Sequence, residues 1–468
     1  MKRRIVVVGH GMVGARLVEE IRRRDPRGET LALTVVGAEA RPAYNRVLLS
    51  TVLAGGLASA VDLLPDGWAH EWGVDARLGA TATAIGDGVL HTTDGDLPFD
   101  VLVLATGSRA WLPPMPGVEQ GIPFRDLDDC DRIIERARPG VRFAVLGGGL
   151  LGCEAARGLA ERGVQVTLVH PKPHLLERQL DPSGGTVLGA ALERLGVELR
   201  LGVGATAWDR GLHLSDGSIV EAEELVVATG VRPETALAQA AGIAVDHGIV
   251  VDDRLTTSDP RVHAIGDCAQ HPGTGAGLVQ PGWEQAAVLA DLLTGADPDA
   301  RYTGTRPVTR LKARGVDLAT VGAPATLGGA DVLRFADPAG GRYAALALDG
   351  DRVVGGAMIG MPEAAATMVQ YFDTGAPAPS DRLGLLLGRM PATTSDPGRL
   401  PASAVVCRCN TVTKAALVTA WRAGATDAAA LGRATRAGTG CGSCTDTVCG
   451  LVDWLAAADP APIEEGAA

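Results

Sequence analysis

The sequence predicts an α/β protein: two Rossmann-like dinucleotide-binding domains, a small α/β domain after them, and a small, mainly helical module near the C-terminal end. Three observations carry this. Two glycine loops of G-x-G-x-x-G spacing, at 9–14 and 147–152, each stand between an apolar strand and a helix that leads to a second strand. A stretch rich in Gly, Pro, Ser and Asp follows the last strand-like segments, as between separate domains. Beyond it, four of the eight cysteines fall in two tight pairs.

The opening strand Ile5–Val8 runs into Gly9, Gly11 and Gly14, then into a helical stretch through Glu19 and Arg23. The second strand, "LALTVVG", is followed two residues later by Glu39. Such glycines permit a tight turn and the close approach of a pyrophosphate to a helix N-terminus, and the acid binds a ribose hydroxyl. The pattern returns in "RFAVLGGG", with Gly147, Gly149 and Gly152, a helix, and the strand "QVTLVH" ending at His170. Two such folds in one chain imply two dinucleotides, held so that something passes between them.

The segments "VLVLATGSR", with Thr106 and Gly107, and "LVVATGVRPET", with Gly230, read as buried strands and Thr-Gly turns where the chain crosses between the two domains. "RVHAIGDCA" ends a strand at Gly266-Asp267, which places an acid to accept hydrogen bonds from a polyol. "LVQPGWEQAAVLA" reads as a Pro-initiated helix. Past Arg301 the pattern turns to β-like alternation with Asp-Gly and Gly turns, then a helix from about Pro362 to Phe372. The expected organisation is 1–110 with 236–300, then 111–235, 301–374, a linker over 375–402, and a cysteine module over 403–457.

A net charge of −12 argues against a nucleic-acid binder, which needs a concentrated basic face. The start "MKRRIVVVGHG" has a positive flank, but its apolar run is too short for a signal peptide, and no apolar run reaches membrane-span length. The expectation is a cytoplasmic chain, in which paired cysteines serve as metal ligands or redox groups rather than disulfides. Cys407-x-Cys409 and Cys441-x-x-Cys444 stand thirty-one residues apart. Four thiolates at this spacing suit zinc or an iron–sulfur cluster, and the residues alone leave both open. Cys130, Cys153, Cys268 and Cys449 lack ligand spacing and read as small buried hydrophobes. His10 and His263 likewise read as structural. No cysteine precedes Cys130, so no thiol pair stands after the first glycine loop to take electrons from a cofactor there.

The series GxGxxG, ATGS, GGGLLGxEAA, ATGVRP and AIGD resembles the two-dinucleotide flavoprotein reductases related to the pyridine-nucleotide-disulfide oxidoreductases, over roughly residues 1–300. "RPAYNRVLLS" and "LKARGVDLATVG" narrow the resemblance to NADH–rubredoxin reductase-like proteins and the flavin portion of assimilatory nitrite and nitrate reductase systems. The cysteine spacing is similar to the bacterioferritin-associated ferredoxin-like (BFD-like) [2Fe–2S] module of that group.

The resemblance implies FAD at the first site, on Gly9, Gly11, Gly14, Glu39, Arg41, Arg46, Thr106, Gly107 and Asp267, with Asp267 on the ribityl chain. It also implies a helix near Pro281 that points its positive end at the flavin. NADH or NADPH would occupy the second site, on Gly147, Gly149, Gly152, Glu154, His170 and Gly230. Where an NADH enzyme has an acid, this chain has His170 with Lys172 nearby, which leaves the choice of nucleotide open. Cys407, Cys409, Cys441 and Cys444 would hold [2Fe–2S]. The cofactors carry the chemistry, so no catalytic acid or base is expected.

The implied function is electron transfer from NAD(P)H through FAD and [2Fe–2S] to a separate protein. The first candidate is the catalytic subunit of an assimilatory nitrate reductase, then a nitrite reductase. The alternatives are a rubredoxin or ferredoxin reductase serving another metalloenzyme, and an iron-mobilising or regulatory flavoprotein with a docking module.

Overall fold

The opening strand, Arg3–Val8, is the middle strand of a five-stranded parallel sheet, and Ile5–Val8 are buried on both faces, as parallel strands sheathed by helices must be. The order across this sheet is Val262–Ala264, Val101–Leu104, Arg3–Val8, Leu31–Gly37, Val74–Leu78. Val8 sits level with Val36 on one side and Leu104 on the other, so three strand ends meet at the first glycine loop. In this computed structural model the described residues are 2–272, 277–322, 331–389, 400–407, 410, 412–440 and 444–458, and the chain divides into two compact units, 1–389 and 390–468.

A second five-stranded parallel sheet repeats the design, in the order Val197–Leu201, Gln165–His170, Arg142–Leu146, Glu224–Val227, Ile122–Pro123. Between the two sheets the crossing segments Ser108–Ala110 and Val231–Pro233 pair antiparallel, with Arg109 opposite Arg232. The helix Met12–Arg24 packs on the helix Val279–Thr294, and Arg24 ties them by an ion pair to Asp291 at 2.7 Å.

The third sheet is antiparallel: Val308–Arg310, Leu318–Val321, Arg352–Ile359, Arg342–Asp349, Asp331–Asp337, with the helix Pro362–Thr374 against it. Tyr343, Ala345 and Ala347 share one hydrophobic core with Phe143, Val145 and Leu188, so this sheet is built onto the second nucleotide domain. The stretch read above as the start of a linker is also structured through Arg389. Its helix Arg382–Leu386 buries Leu385 and Leu386, and Arg382 pairs with Asp331 at 2.7 Å. Two buried leucines within a Pro/Ser-rich stretch outweigh its linker composition.

In the second unit a two-stranded pair, Val405–Cys407 with Val412–Thr413, leads to the helices Lys414–Arg422, Ala428–Thr435 and Thr445–Ala458. Among the described residues no helix is long and apolar enough to cross a membrane.

Candidate functional site

The glycines of each loop divide into two kinds. Gly9 has φ +107°, and a Cβ there would lie 2.2 Å from the Ala105 carbonyl oxygen; one on Gly14 would lie 2.0 Å from the Gly9 carbonyl oxygen. These two close the loop onto the strand and helix beside it. A Cβ on Gly11 meets no atom within 4 Å, so protein packing does not explain this glycine. The second loop repeats the division: Gly147 and Gly152 are packed against backbone, and Gly149 is open. A glycine kept small only toward the space before a helix N-terminus fits a cradle for pyrophosphate, and there are two of them.

Around the first loop, the Glu39 carboxylate accepts from the Tyr44 hydroxyl at 2.9 Å and forms an ion pair with Arg46. Tyr44 is buried, and its hydroxyl also accepts from the Leu127 N–H at 3.1 Å, while Arg46 lies over its ring. Arg41 instead pairs with Asp128 at 2.6 Å. The Thr106 hydroxyl donates to the Glu234 carbonyl at 2.7 Å, and the Glu234 N–H donates to the Gly107 carbonyl, so the first crossing is latched to the second. Gly230 does the same from the other side, accepting from the Trp111 N–H.

Asp267 accepts from the Ser108 hydroxyl at 2.6 Å and from Arg125 at 3.2 Å. Ser108 closes the ATGS motif, which carries no sign of its partner, and Arg125 comes from outside the recognised motifs altogether. The helix expected near Pro281 begins at Val279, with Pro281 in its first turn, where a missing N–H costs nothing. Its Gln285 side chain accepts from the Gly266 N–H at 2.7 Å, and a Cβ on Gly282 would lie 2.5 Å from Val13. The first glycine loop, the Gly266-Asp267 turn and this helix start therefore converge. His10 stacks on Trp68 at 4.9 Å, and burial lowers its pKa to about 4, which makes it a neutral packing group.

At the second loop, His170 is buried and its Nδ1 accepts from the Gly148 N–H at 3.0 Å, while Nε2 faces Glu177 at 3.0 Å. Glu154 is also buried, but it accepts from the Lys312 N–H at 2.7 Å. Its carboxyl is committed to the seam with the third sheet, and burial pushes its pKa up to about 7 against the pull of Lys312.

Cys407 and Cys444 are both buried; Cys409 and Cys441 lie outside the described residues. The Asn410 side-chain amide donates to the Cys407 sulfur at 3.6 Å and to the Arg436 carbonyl at 2.7 Å, and the Gly438 N–H donates to the Cys444 sulfur at 3.2 Å. N–H groups aimed at sulfur favour the thiolate, the form that binds metal. This donor set fits an iron–sulfur cluster. Cys130, Cys153 and Cys268 are buried as expected, and burial raises each thiol pKa, that of Cys130 to about 12. Cys449 departs from the expectation: it is exposed, because it falls on the outer side of the helix Thr445–Ala458.

Paired glycine cradles on two parallel sheets, latched through their crossings, define a two-dinucleotide oxidoreductase. Residues 3–288 match the family model described as pyridine nucleotide-disulphide oxidoreductase, 307–375 that of the rubredoxin NAD+ reductase C-terminal domain, and 405–454 that of the BFD-like [2Fe-2S] binding domain. The chain belongs to the pyridine nucleotide-disulphide oxidoreductase family, and its cofactors are FAD, NAD(P)H and a [2Fe–2S] cluster. It is similar to a nitrite reductase [NAD(P)H] of Bacillus subtilis, 34% identical over 96% of this chain and 57% of that protein. It is 32% identical to the assimilatory nitrate reductase electron transfer subunit of the same organism, over 97% of this chain and 60% of that protein. The chain thus spans less than two thirds of either. Among solved structures, the covalent putidaredoxin reductase–putidaredoxin complex matches with a TM-score of 0.74 and 26% identity, over 82% of this chain and 95% of that one.

Proposed function

We propose that this chain is an electron-transfer flavoprotein. It takes electrons from NAD(P)H and delivers them to a separate protein, first the catalytic subunit of an assimilatory nitrate reductase and second a nitrite reductase. The observation that carries this reading is the placement of the thiols. In the first unit the three cysteines are buried with their pKa values raised, which denies the flavin a thiolate partner. In the second unit, Cys407 and Cys444 each receive an N–H at sulfur. The chemistry that FAD would supply when bound is acceptance of hydride from the nicotinamide and one-electron release toward the iron–sulfur cluster.

The residues do the positioning. Gly9, Gly11 and Gly14 form the first cradle, and Tyr44 and Arg46 hold the Glu39 carboxylate for a ribose. Ser108 and Arg125 hold Asp267 for the ribityl chain. Gly147, Gly149 and Gly152 form the second cradle for the nicotinamide nucleotide. Cys407 and Cys444, with Cys409 and Cys441, take the cluster. The names of the two Bacillus relatives support the nitrate and nitrite assignment. The match of 307–375 to a rubredoxin reductase domain favours a second reading, service to a rubredoxin or ferredoxin. Thiolate ligands require a reducing compartment, so the cytoplasm is the proposed location.

The test is EPR of the full chain after reduction with NADH or NADPH under argon. A reduced [2Fe–2S] signal is expected, lost in Cys407→Ser while dye reduction by the flavin persists. Zinc in place of iron, with a flavin-only spectrum, would refute the reading.

A further inference from the structure

We propose that the Glu177 carboxylate, held in place by His170, reads the adenosine ribose at the second glycine loop and makes the chain selective for NADH over NADPH. The proposal rests on that loop being the nicotinamide nucleotide site.

His170 ends the strand Gln165–His170, at the position from which an acid reaches the ribose in an NADH site. Its ring is not free to play the part of a cation there. It lies against Gly148, where a Cβ would come within 2.6 Å of the ring. Because the Gly148 N–H donates to Nδ1 at 3.0 Å, Nδ1 carries no proton, and the ring's one N–H is on Nε2. That N–H donates to the Glu177 carboxylate at 3.0 Å. A second proton on the ring would set two N–H groups against each other at Gly148, so the loop backbone itself keeps His170 neutral. Burial acts in the same direction.

The charge on this pair is therefore that of Glu177. Its side chain is 29% exposed, and one oxygen is taken by His170. The chain bends sharply to bring it there. Leu176 is fully buried, has φ +52°, a left-handed conformation uncommon for leucine, and donates its N–H to the Gly148 carbonyl at 3.0 Å. That turn folds 175–177 back onto the glycine loop. A carboxylate missing from the strand end is thus restored from seven residues further on. A ribose 2′-hydroxyl can donate to it, whereas a 2′-phosphate meets a like charge. Lys172, on the same segment, is exposed, so its attraction for a phosphate is screened by solvent.

The experiment is isothermal titration of the FAD-loaded full chain with NAD+ and with NADP+, which bind without reducing the flavin. NAD+ should bind tighter than NADP+ by about tenfold or more, the cost of a like-charge contact at a ribose. Glu177→Gln keeps an acceptor for His170 and removes the charge; it should tighten NADP+ binding and bring the two constants within about threefold. An unchanged flavin spectrum shows that the variant is folded. Equal binding of both nucleotides by the wild type overturns the proposal, as does a ratio that Glu177→Gln leaves unmoved. Absence of binding by either nucleotide would instead strike at the second loop as a nucleotide site, and this proposal falls with it.

Discussion

Glu154 offers a direct measurement of what burial does to a carboxyl in this fold. It is 6% exposed, with one strong hydrogen bond, from the Lys312 N–H at 2.7 Å. Burial raises its pKa from 4.5 to about 7, and the Lys312 charge and Ser50 only partly offset this. The folded protein holds this proton more tightly than the unfolded chain does. Its contribution to stability is therefore full below pH 4.5, falls as the pH rises toward about 7, and is gone above that. The rise from 4.5 to about 7 corresponds to about 3 kcal/mol. Glu154→Gln keeps an oxygen for the Lys312 N–H and cannot ionise. The variant should match the wild type near pH 5 and exceed it by up to about 3 kcal/mol near pH 8. Chemical denaturation followed by flavin fluorescence, which reports the first unit, measures the difference at each pH. A difference that stays constant across this range would refute the argument, because it would mean that Glu154 is ionised throughout and paired with the Lys312 ammonium.

Gly147→Ala should destabilise the fold by more than about 1 kcal/mol, since its Cβ would meet the Ala228 carbonyl oxygen at 2.4 Å and its φ is +118°. Gly149→Ala should leave the melting temperature nearly unchanged and weaken NAD+ binding about tenfold in titration, because its Cβ touches no protein atom within 4 Å but occupies the pyrophosphate cradle. Asn410→Ala removes the amide that donates to the Cys407 sulfur and to the Arg436 carbonyl. It should lower the cluster midpoint potential by on the order of tens of millivolts in an EPR-monitored titration; an unmoved potential would make Asn410 a purely structural tie.

Much of the architecture was legible because it rests on local repetition. Strand, glycine loop, helix and strand recur in one order, and the two loops also fold alike down to which glycine is open. The cysteine pairs were legible for the same reason, as fixed spacings. What stayed hidden depends on contacts between distant segments. Arg125 reaches Asp267 from 142 residues away, and Lys312 reaches Glu154 from 158 residues away. Neither leaves a trace in spacing. His170 was misleading for a different reason: residue type suggests a possible cation, but its protonation is set by a backbone N–H that only the folded loop brings to it. Asn410, directly after Cys-x-Cys, was readable in principle, since a buried amide beside a thiolate is a natural donor.

The helix Arg382–Leu386 has a consequence for how this chain can be divided. It lies against Asp331–Asp337, the outermost strand of the third sheet, and is held by Arg382 to Asp331 and to the Gly350 carbonyl. A truncation after residue 374, where composition first suggests a break, would strip that border strand and uncover the buried faces left by Leu385 and Leu386. Fresh apolar surface of this kind is a liability for intermolecular association. A cut after Arg389 keeps it covered, so a fragment ending there should stay dispersed where the shorter one aggregates.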